Sequence, residues 1–179
     1  MSMRRIEIVD YNPDWVIMFQ KERALLADLL GPIMIACHHI GSTSVPGLAA
    51  KPIIDIMLEV GSLSELDCHT SGMEALGYES MGEYGIAGRR FFRKGGCDRT
   101  HHIHAFSAGD FNVERHLAFR DYLRLRPDRL REYAEIKQRV ALECANDIEK
   151  YCHGKDAFVK NLEREALQHF QGQGKGEMW

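Results

Sequence analysis

The pattern of apolar and polar residues changes several times along the chain, and each change predicts a different element. Residues 4–10 alternate as a strand does, up to Pro13, which suits a first helical turn. The apolar residues that follow have helical spacing up to Gly31 and predict an amphipathic helix with its stripe turned to a core: Trp15, Met18, Phe19, Leu25, Leu26, Leu29 and Leu30. Apolar runs at residues 33–37 and 52–60 both fit buried strands. The loop between these runs is longer than a hairpin needs, and ordered loops of that length are often functional.

The second half of the chain predicts more strands and then helices. Residues 62–76 have the pattern of one helix that ends before Gly77. Three segments then alternate as half-buried strands do, at residues 77–81, 89–94 and 100–106. Three helices follow, predicted at residues 112–126, at 127–145, and from 147 or 156 to 170. The pattern predicts one α+β domain over residues 1–170, a mixed β-sheet flanked by helices with a helical C-terminal third, and a disordered tail at 171–179.

Composition and charge exclude several classes of function. The chain has 179 residues and a net charge of −3, so no global positive field favours general binding to DNA or RNA. No targeting segment and no apolar run of about 18 residues is present, which predicts a cytoplasmic protein without membrane contact. The five scattered cysteines contain no C-x-x-C pair, and we expect reduced thiols rather than a disulfide or zinc framework.

The loop after the first apolar run carries the first candidate chemistry. Gly41, Ser42 and Thr43 directly follow a predicted strand, where glycine allows backbone N–H groups to approach a bound phosphate and a hydroxyl donates as well. A simple strand-to-loop turn would have the same composition. Asp55 then lies in the apolar run 52–60, and a buried carboxylate needs a hydrogen-bond partner, a cation or a metal.

A resemblance to a known family rests on this loop and on later motifs. The segment HIGSTSVPGLAAKPIIDI, residues 39–56, resembles the signature of the GrpB family of bacterial proteins. Supporting motifs occur in the same order, at residues 85–94, 99–106 and 114–124. The resemblance extends from about residue 5 to about residue 168. It implies a nucleotidyltransferase-like fold, and with it a nucleotide as the ligand.

The resemblance also implies metal chemistry that this chain does not fully match. Nucleotidyltransferases place two carboxylates two residues apart on one strand, with a third on a neighbouring strand, to hold two divalent ions. Here the second position is Met57, and Glu59 lies about 13 Å from Asp55 along an extended strand. Three alternatives follow: the ligands come from elsewhere, one metal is bound, or nucleotide is bound without transfer.

Two histidines supply a candidate for the missing ligands. His102 and His104 are two residues apart and therefore share one face of a strand. By analogy with the family's third carboxylate, they would join Asp55 as catalytic residues and as ligands of a divalent metal, Mg, Mn or Zn. The alternative is a sheet histidine that only hydrogen-bonds to Asp55.

Basic residues supply the other half of a phosphate site. Lys51 precedes the aspartate strand, and Arg89 and Arg90 follow a Gly-x-x-Gly turn, so these three are candidate phosphate ligands. Charged residues also protect edge strands, and for Arg93 and Lys94 this alternative is as good as a phosphate site. Arg120 and Arg124 could reach a cleft from the following helix, although charged helix faces are mostly solvated.

Three functions remain open from the sequence. The first is a protein that binds a nucleotide or another phosphorylated small molecule and could transfer a nucleotidyl group. The second is a non-catalytic accessory protein that binds a nucleotide or coenzyme, because related sequences are joined to a coenzyme A biosynthetic kinase. The third is a mononuclear metal hydrolase that uses Asp55, His102 and His104. The sequence leaves the oligomeric state open.

Overall fold

Two groups of helices pack against a five-stranded mixed sheet. The structure, a computed structural model, describes residues 6–173. The strands are β1 (Met34–Ile40), β2 (Ile54–Val60), β3 (Tyr78–Ser80), β4 (Arg90–Lys94) and β5 (His101–Ser107). They lie in the order β1-β2-β5-β4-β3, with β2 and β5 parallel and the other neighbours antiparallel. The predicted mixed sheet is confirmed.

Helices cover both faces of this sheet and make up the C-terminal third of the described residues, as predicted. They are α1 (Asp14–Leu30), α2 (Leu63–Asp67), α3 (Thr70–Ala75), α4 (Phe111–Leu125), α5 (Pro127–Glu143) and α6 (Ile148–Gln173). The face that packs on α1, α2 and α3 is called the back face, and the face that carries Asp55 is called the front face. In the described part of the chain, no helix is both long and apolar enough to cross a membrane.

The back face holds the larger apolar core. Alternate residues of β2 point there, and Ile54, Ile56 and Leu58 are fully buried against α1. The apolar stripe of α1 contributes Trp15, Phe19, Leu26 and Leu30, which were all expected in the core. Leu25 was expected there too, but it is 43% exposed because it faces away from the sheet.

Three predicted segments differ from the structure. The single helix expected at residues 62–76 is two short helices, since the backbone leaves helical geometry at His69 (φ −96°, ψ 9°). The strand expected at residues 4–10 is reduced to one bridge between Val9 and Ala50, and residues 4 and 5 lie outside the described residues. Of the expected tail, residues 171–173 continue α6, and residues 174–179 lie outside the described residues.

A polar cluster is enclosed between α1 and the back face. The Glu22 carboxylate, on a residue only 5% exposed, accepts a hydrogen bond from Lys94 Nζ at 2.9 Å and lies 3.8 Å from His101 Nε2. Burial lowers the pKa of His101. Because buried charges need partners, this carboxylate joins α1 to β4 and β5.

Replacement of this carboxylate by an amide measures the strength of the cluster. Glu22→Gln removes the charge that faces Lys94, so we expect the free energy of unfolding to fall by about 1–2 kcal/mol and the melting temperature by about 2–8 °C. Glu79→Gln is the control, because the Glu79 side chain is 57% exposed and pairs with Arg93 in solvent. That variant should change stability by less than about 0.5 kcal/mol. Equal shifts in thermal denaturation would contradict a role for the buried cluster.

Candidate ligand-binding site

A carboxylate with two imidazoles beside it lies on the front face. In the parallel pair β2 and β5, Asp55 is opposite His102 and Met57 is opposite His104, so all four side chains point the same way. Asp55 Oδ1 is 3.3 Å from His102 Nδ1 and 3.6 Å from His104 Nε2. Burial alone would raise the pKa of Asp55, but the two imidazoles outweigh it and hold this pKa well below its usual range. The structure therefore brings these predicted residues together around an ionised carboxylate.

Arg89 restricts where the proton of His104 can lie. The Nη1 atom of Arg89 is 3.3 Å from His104 Nδ1, and a guanidinium can only donate hydrogen bonds. His104 Nδ1 therefore accepts, and neutral His104 carries its proton on Nε2, the atom nearer Asp55. A histidine bound to a metal through Nε2 needs a proton on Nδ1 and an acceptor beside it. In this arrangement His104 does not fit the role of a metal ligand.

The position of the second strand carboxylate is occupied by a core residue. The Met57 side chain is fully buried and packs in one cluster with Ile40, Phe106 and Val113. Glu59, the next front-face residue of β2, accepts a hydrogen bond from His38 Nε2 at 2.7 Å when that nitrogen carries the proton. Within residues 6–173, no group of three or more histidine, cysteine or acidic side chains is arranged to hold a metal ion. The divalent metal stays a prediction.

The glycine loop lies directly against the Asp55 carboxylate. Gly41 has φ +70° and ψ −172°, and a Cβ atom built on it would lie 2.7 Å from Asp55 Oδ2. Only glycine allows both this backbone conformation and this approach. Ser42 follows it and, like Asp55, lines a cavity on this face of the sheet. The Thr43 hydroxyl donates to the Ile53 carbonyl at 3.2 Å, so it is used within the loop.

Two arginines of α4 hold this loop from outside. Arg120 Nη1 donates to the His39 carbonyl at 3.1 Å, and the Arg124 guanidinium donates to the Ser44 carbonyl at 2.7 and 3.2 Å. Their charges, after desolvation by burial, help to lower the pKa of His39 to about 4. Of the two alternatives that the sequence left open, a solvated helix face and a contact with the cleft, Arg120 and Arg124 therefore show the second, and they bind the backbone of the loop.

A cavity of about 200 Å³ extends from this loop to a cluster of lysines. Asp55 and His102 line one part of it, and Lys51, Lys137 and Lys155 line another. The ammonium groups of Lys51 and Lys155 lie 4.7 and 5.4 Å from the centre of the Tyr151 ring. The charges of Lys155 and Lys51 also act on Lys137, so the three amines approach one region of the cavity, an arrangement that favours a polyanion.

The most buried of these cations is Lys137 on α5. It is 2% exposed, its ammonium group donates to the Ala49 carbonyl, and it lies 4.6 Å from the centre of the Tyr133 ring. Desolvation by burial, and then the charges of Lys155 and Lys51, lower the pKa of Lys137 to about 7. Lys137 is not among the site residues that the sequence predicts, although its spacing from Tyr133 and Val140 places it on the buried stripe of α5.

Two predicted phosphate ligands are not placed to contact that cavity. The Arg90 guanidinium pairs with both Asp67 oxygens at 2.7 and 2.9 Å, away from Asp55. Arg89 is on the front face, but it donates to the carbonyls of Glu83 and Tyr84 at 3.1 and 2.6 Å. Lys51 does line the cavity, as the sequence predicts.

Fold and site together define an α+β protein with a charged cleft on the front face of a mixed sheet. The family model described as GrpB protein matches residues 5–165, and the chain belongs to this family. The resemblance seen in the sequence is confirmed.

Relatives and a solved structure agree with this assignment. The chain is 46% identical over 169 residues to the UPF0157 protein YqkA of Bacillus subtilis. The matched region covers 94% of this chain and 49% of that protein. The chain thus spans about half the length of that relative. A crystal structure of conserved protein GrpB from Enterococcus faecalis is 42% identical, with a TM-score of 0.89 over 92% of this chain and 99% of that chain. A dephospho-CoA kinase of Mycolicibacterium paratuberculosis is 24% identical over 186 residues, or 90% of this chain and 46% of that protein.

Proposed function

We propose that this chain binds a nucleotide or another phosphorylated small molecule in the cavity between Asp55 and the lysine cluster. The observation that carries the proposal is the convergence of Lys51, Lys137 and Lys155 on a cavity that also contains the Gly41 loop. The whole chain has a net charge of −3, so this positive region is a local feature. Ammonium groups at close range favour phosphate oxygens over neutral ligands.

Charge determines how such a ligand would be oriented. The ionised Asp55 repels phosphate, whereas the lysines attract it, so the phosphates belong at the lysine end. Asp55 would then accept a hydrogen bond from a hydroxyl of the ligand or of a second substrate. The low pKa of Asp55 makes it a weak base, so it suits orientation of a hydroxyl better than removal of its proton.

Nucleotidyl transfer by a pair of divalent ions is not part of this proposal. That mechanism needs a second carboxylate two residues after Asp55, and the buried thioether of Met57 is a poor ligand for magnesium. A non-catalytic role in binding a nucleotide or coenzyme uses the same cavity. The similarity to part of a dephospho-CoA kinase supports including coenzymes among the ligands tested.

Thermal-shift measurements test the proposal. At a ligand concentration about ten times Kd, a bound nucleotide should stabilise the chain by about 1.4 kcal/mol and raise its melting temperature by about 3–6 °C. The panel contains inorganic tripolyphosphate, the four ribonucleoside triphosphates, coenzyme A and dephospho-CoA. Lys155→Met should weaken the shift, while Lys160→Met, a 71% exposed lysine side chain on the same helix, should not. No shift with any of these ligands would contradict the proposal.

The same assay tests the predicted metal. Magnesium, manganese and zinc are each added with and without nucleotide, to wild type and to Asp55→Asn. Metal-dependent stabilisation that disappears in Asp55→Asn would support a metal bound by Asp55. Stabilisation by nucleotide alone, equal in the presence of EDTA, would instead indicate binding through the lysines without a metal.

A further inference from the structure

An exposed tyrosine in the loop before β4 is held in a restrained conformation. Tyr84 is 57% exposed, although its ring stacks on Phe91 with centroids 5.1 Å apart and planes at 15°. Its φ of +45° lies in the left-handed region, which residues other than glycine rarely adopt. Backbone strain of this kind is concentrated at ligand-binding and active sites. Stacking on one side leaves the rest of the ring accessible to solvent.

A buried arginine fixes this tyrosine to the centre of the site. Arg89 is 7% exposed and its Nη2 donates to the Tyr84 carbonyl at 2.6 Å. Its Nε donates to the Glu83 carbonyl, and its Nη1 donates to His104. The loop that carries Tyr84 is therefore tied to an imidazole that lies beside Asp55.

Aromatic contacts continue from Tyr84 to the cavity. The Phe91 ring lies 5.3 Å from His102 and 5.2 Å from His104, centre to centre. His102 lines the cavity that also contains the lysines. A row of rings thus extends from the cavity to an exposed tyrosine. It leads away from His102 along β4, whereas the lysines are carried by α5, α6 and the loop before β2.

We infer that Tyr84 is a stacking subsite for a planar ring of the ligand, so that the ligand is a nucleotide rather than a sugar phosphate or an inorganic polyphosphate. This inference rests on the proposed function, because it places the phosphates of the same ligand at the lysine end. The nucleobase then stacks on the face of Tyr84 that Phe91 leaves free, and the sugar and phosphates lead past Phe91 and His102 toward the lysines. Every nucleobase has a π-face, so the platform tolerates different bases.

Binding of two kinds of ligand, an inorganic polyphosphate and nucleotides, to three proteins tests the subsite. Isothermal titration measures inorganic tripolyphosphate and each ribonucleoside triphosphate against wild type, Tyr84→Ala and Tyr84→Phe. We expect Tyr84→Ala to raise Kd for at least one nucleotide about 10-fold, in the range typical for loss of base stacking. Tyr84→Phe keeps the ring and should stay within about 2-fold of wild type. Kd for tripolyphosphate should be the same in all three proteins.

The outcomes separate this inference from the proposed function. If wild type binds neither tripolyphosphate nor any of these nucleotides, and binds neither coenzyme A nor dephospho-CoA, the proposed function is wrong and the subsite with it. If tripolyphosphate and nucleotides bind wild type but Tyr84→Ala binds nucleotides as tightly, the subsite alone is overturned. Equal weakening of tripolyphosphate in Tyr84→Ala would also overturn the subsite, because Tyr84 would then act through Arg89 and His104 on the whole site.

Discussion

Gly41→Ala is expected to lower the free energy of unfolding by about 2–6 kcal/mol and to abolish ligand binding. Two costs add in this variant. The backbone conformation at Gly41, φ +70° with ψ −172°, is one that essentially only glycine adopts. The new Cβ would also lie 2.7 Å from Asp55 Oδ2, so the loop or the carboxylate must move. Thermal and urea denaturation measure the stability, and the thermal shift with nucleotide measures the binding.

Gly47→Ala is the matched control in the same loop. Gly47 also has a positive φ, +81°, but no atom lies within 4 Å of a Cβ built there. It should therefore show the backbone strain alone, about 1–2 kcal/mol, and should bind ligand as wild type does. Loss of binding in Gly41→Ala but not in Gly47→Ala would attribute that loss to the conformation of Gly41 and its contact with Asp55 rather than to a positive φ alone. If Gly41→Ala and Gly47→Ala were equally stable and both bound nucleotide, close approach of the loop to Asp55 would have no functional role.

The sequence predicted the sheet and the centre of the site because both depend on local patterns. Alternation at residues 100–106 correctly placed His102 and His104 on one face of a strand, since strand geometry has a period of two residues. The apolar run around Asp55 was enough to predict a carboxylate in need of partners. The family motif placed those partners on the neighbouring strand.

The lysine end of the cavity was harder to predict because it depends on packing between distant segments. Lys137 on α5 contacts the carbonyl of Ala49, which is 88 residues away in the chain. A lysine within a helix is expected to be solvated unless the buried stripe of that helix is traced residue by residue. Arg90 shows the opposite error, because a cluster of basic residues suggested a phosphate site while alternation directed its side chain to Asp67.

Between pH 7 and pH 9, the largest pH effect on stability is expected from Lys137. Its pKa is lowered from 10.5 to about 7 in the folded protein. Between these two values the unfolded chain binds more protons than the folded protein, so this residue makes stability rise as pH increases. From pH 7 to pH 9 the contribution of Lys137 should rise by about 2 kcal/mol, given about 1.4 kcal/mol per proton and pH unit. Burial of Cys37 raises its pKa, with the opposite effect above pH 9, and the comparison therefore stops there.

Lys137→Met isolates this effect because other titrating groups are the same in both proteins. The stability of wild type relative to Lys137→Met should increase by about 2 kcal/mol from pH 7 to pH 9, measured by urea denaturation. Lys160→Met removes an exposed lysine and should show no such change with pH. A difference between wild type and Lys137→Met that is constant with pH would mean that Lys137 keeps its ordinary pKa when buried.

The lowered pKa of Lys137 should also make ligand binding depend on pH. A buried amine that loses its proton near pH 7 reduces stability at and below that pH, and such a cost is expected where function requires the group. A phosphate beside Lys137 favours its charged form, so nucleotide binding above pH 7 should take up a proton and weaken as pH rises toward 9. Calorimetry in buffers of different ionisation enthalpy detects that proton directly. In Lys137→Met, Kd should rise at least about 10-fold and the proton uptake should disappear, whereas a variant that binds as tightly with the same uptake would remove Lys137 from the phosphate site.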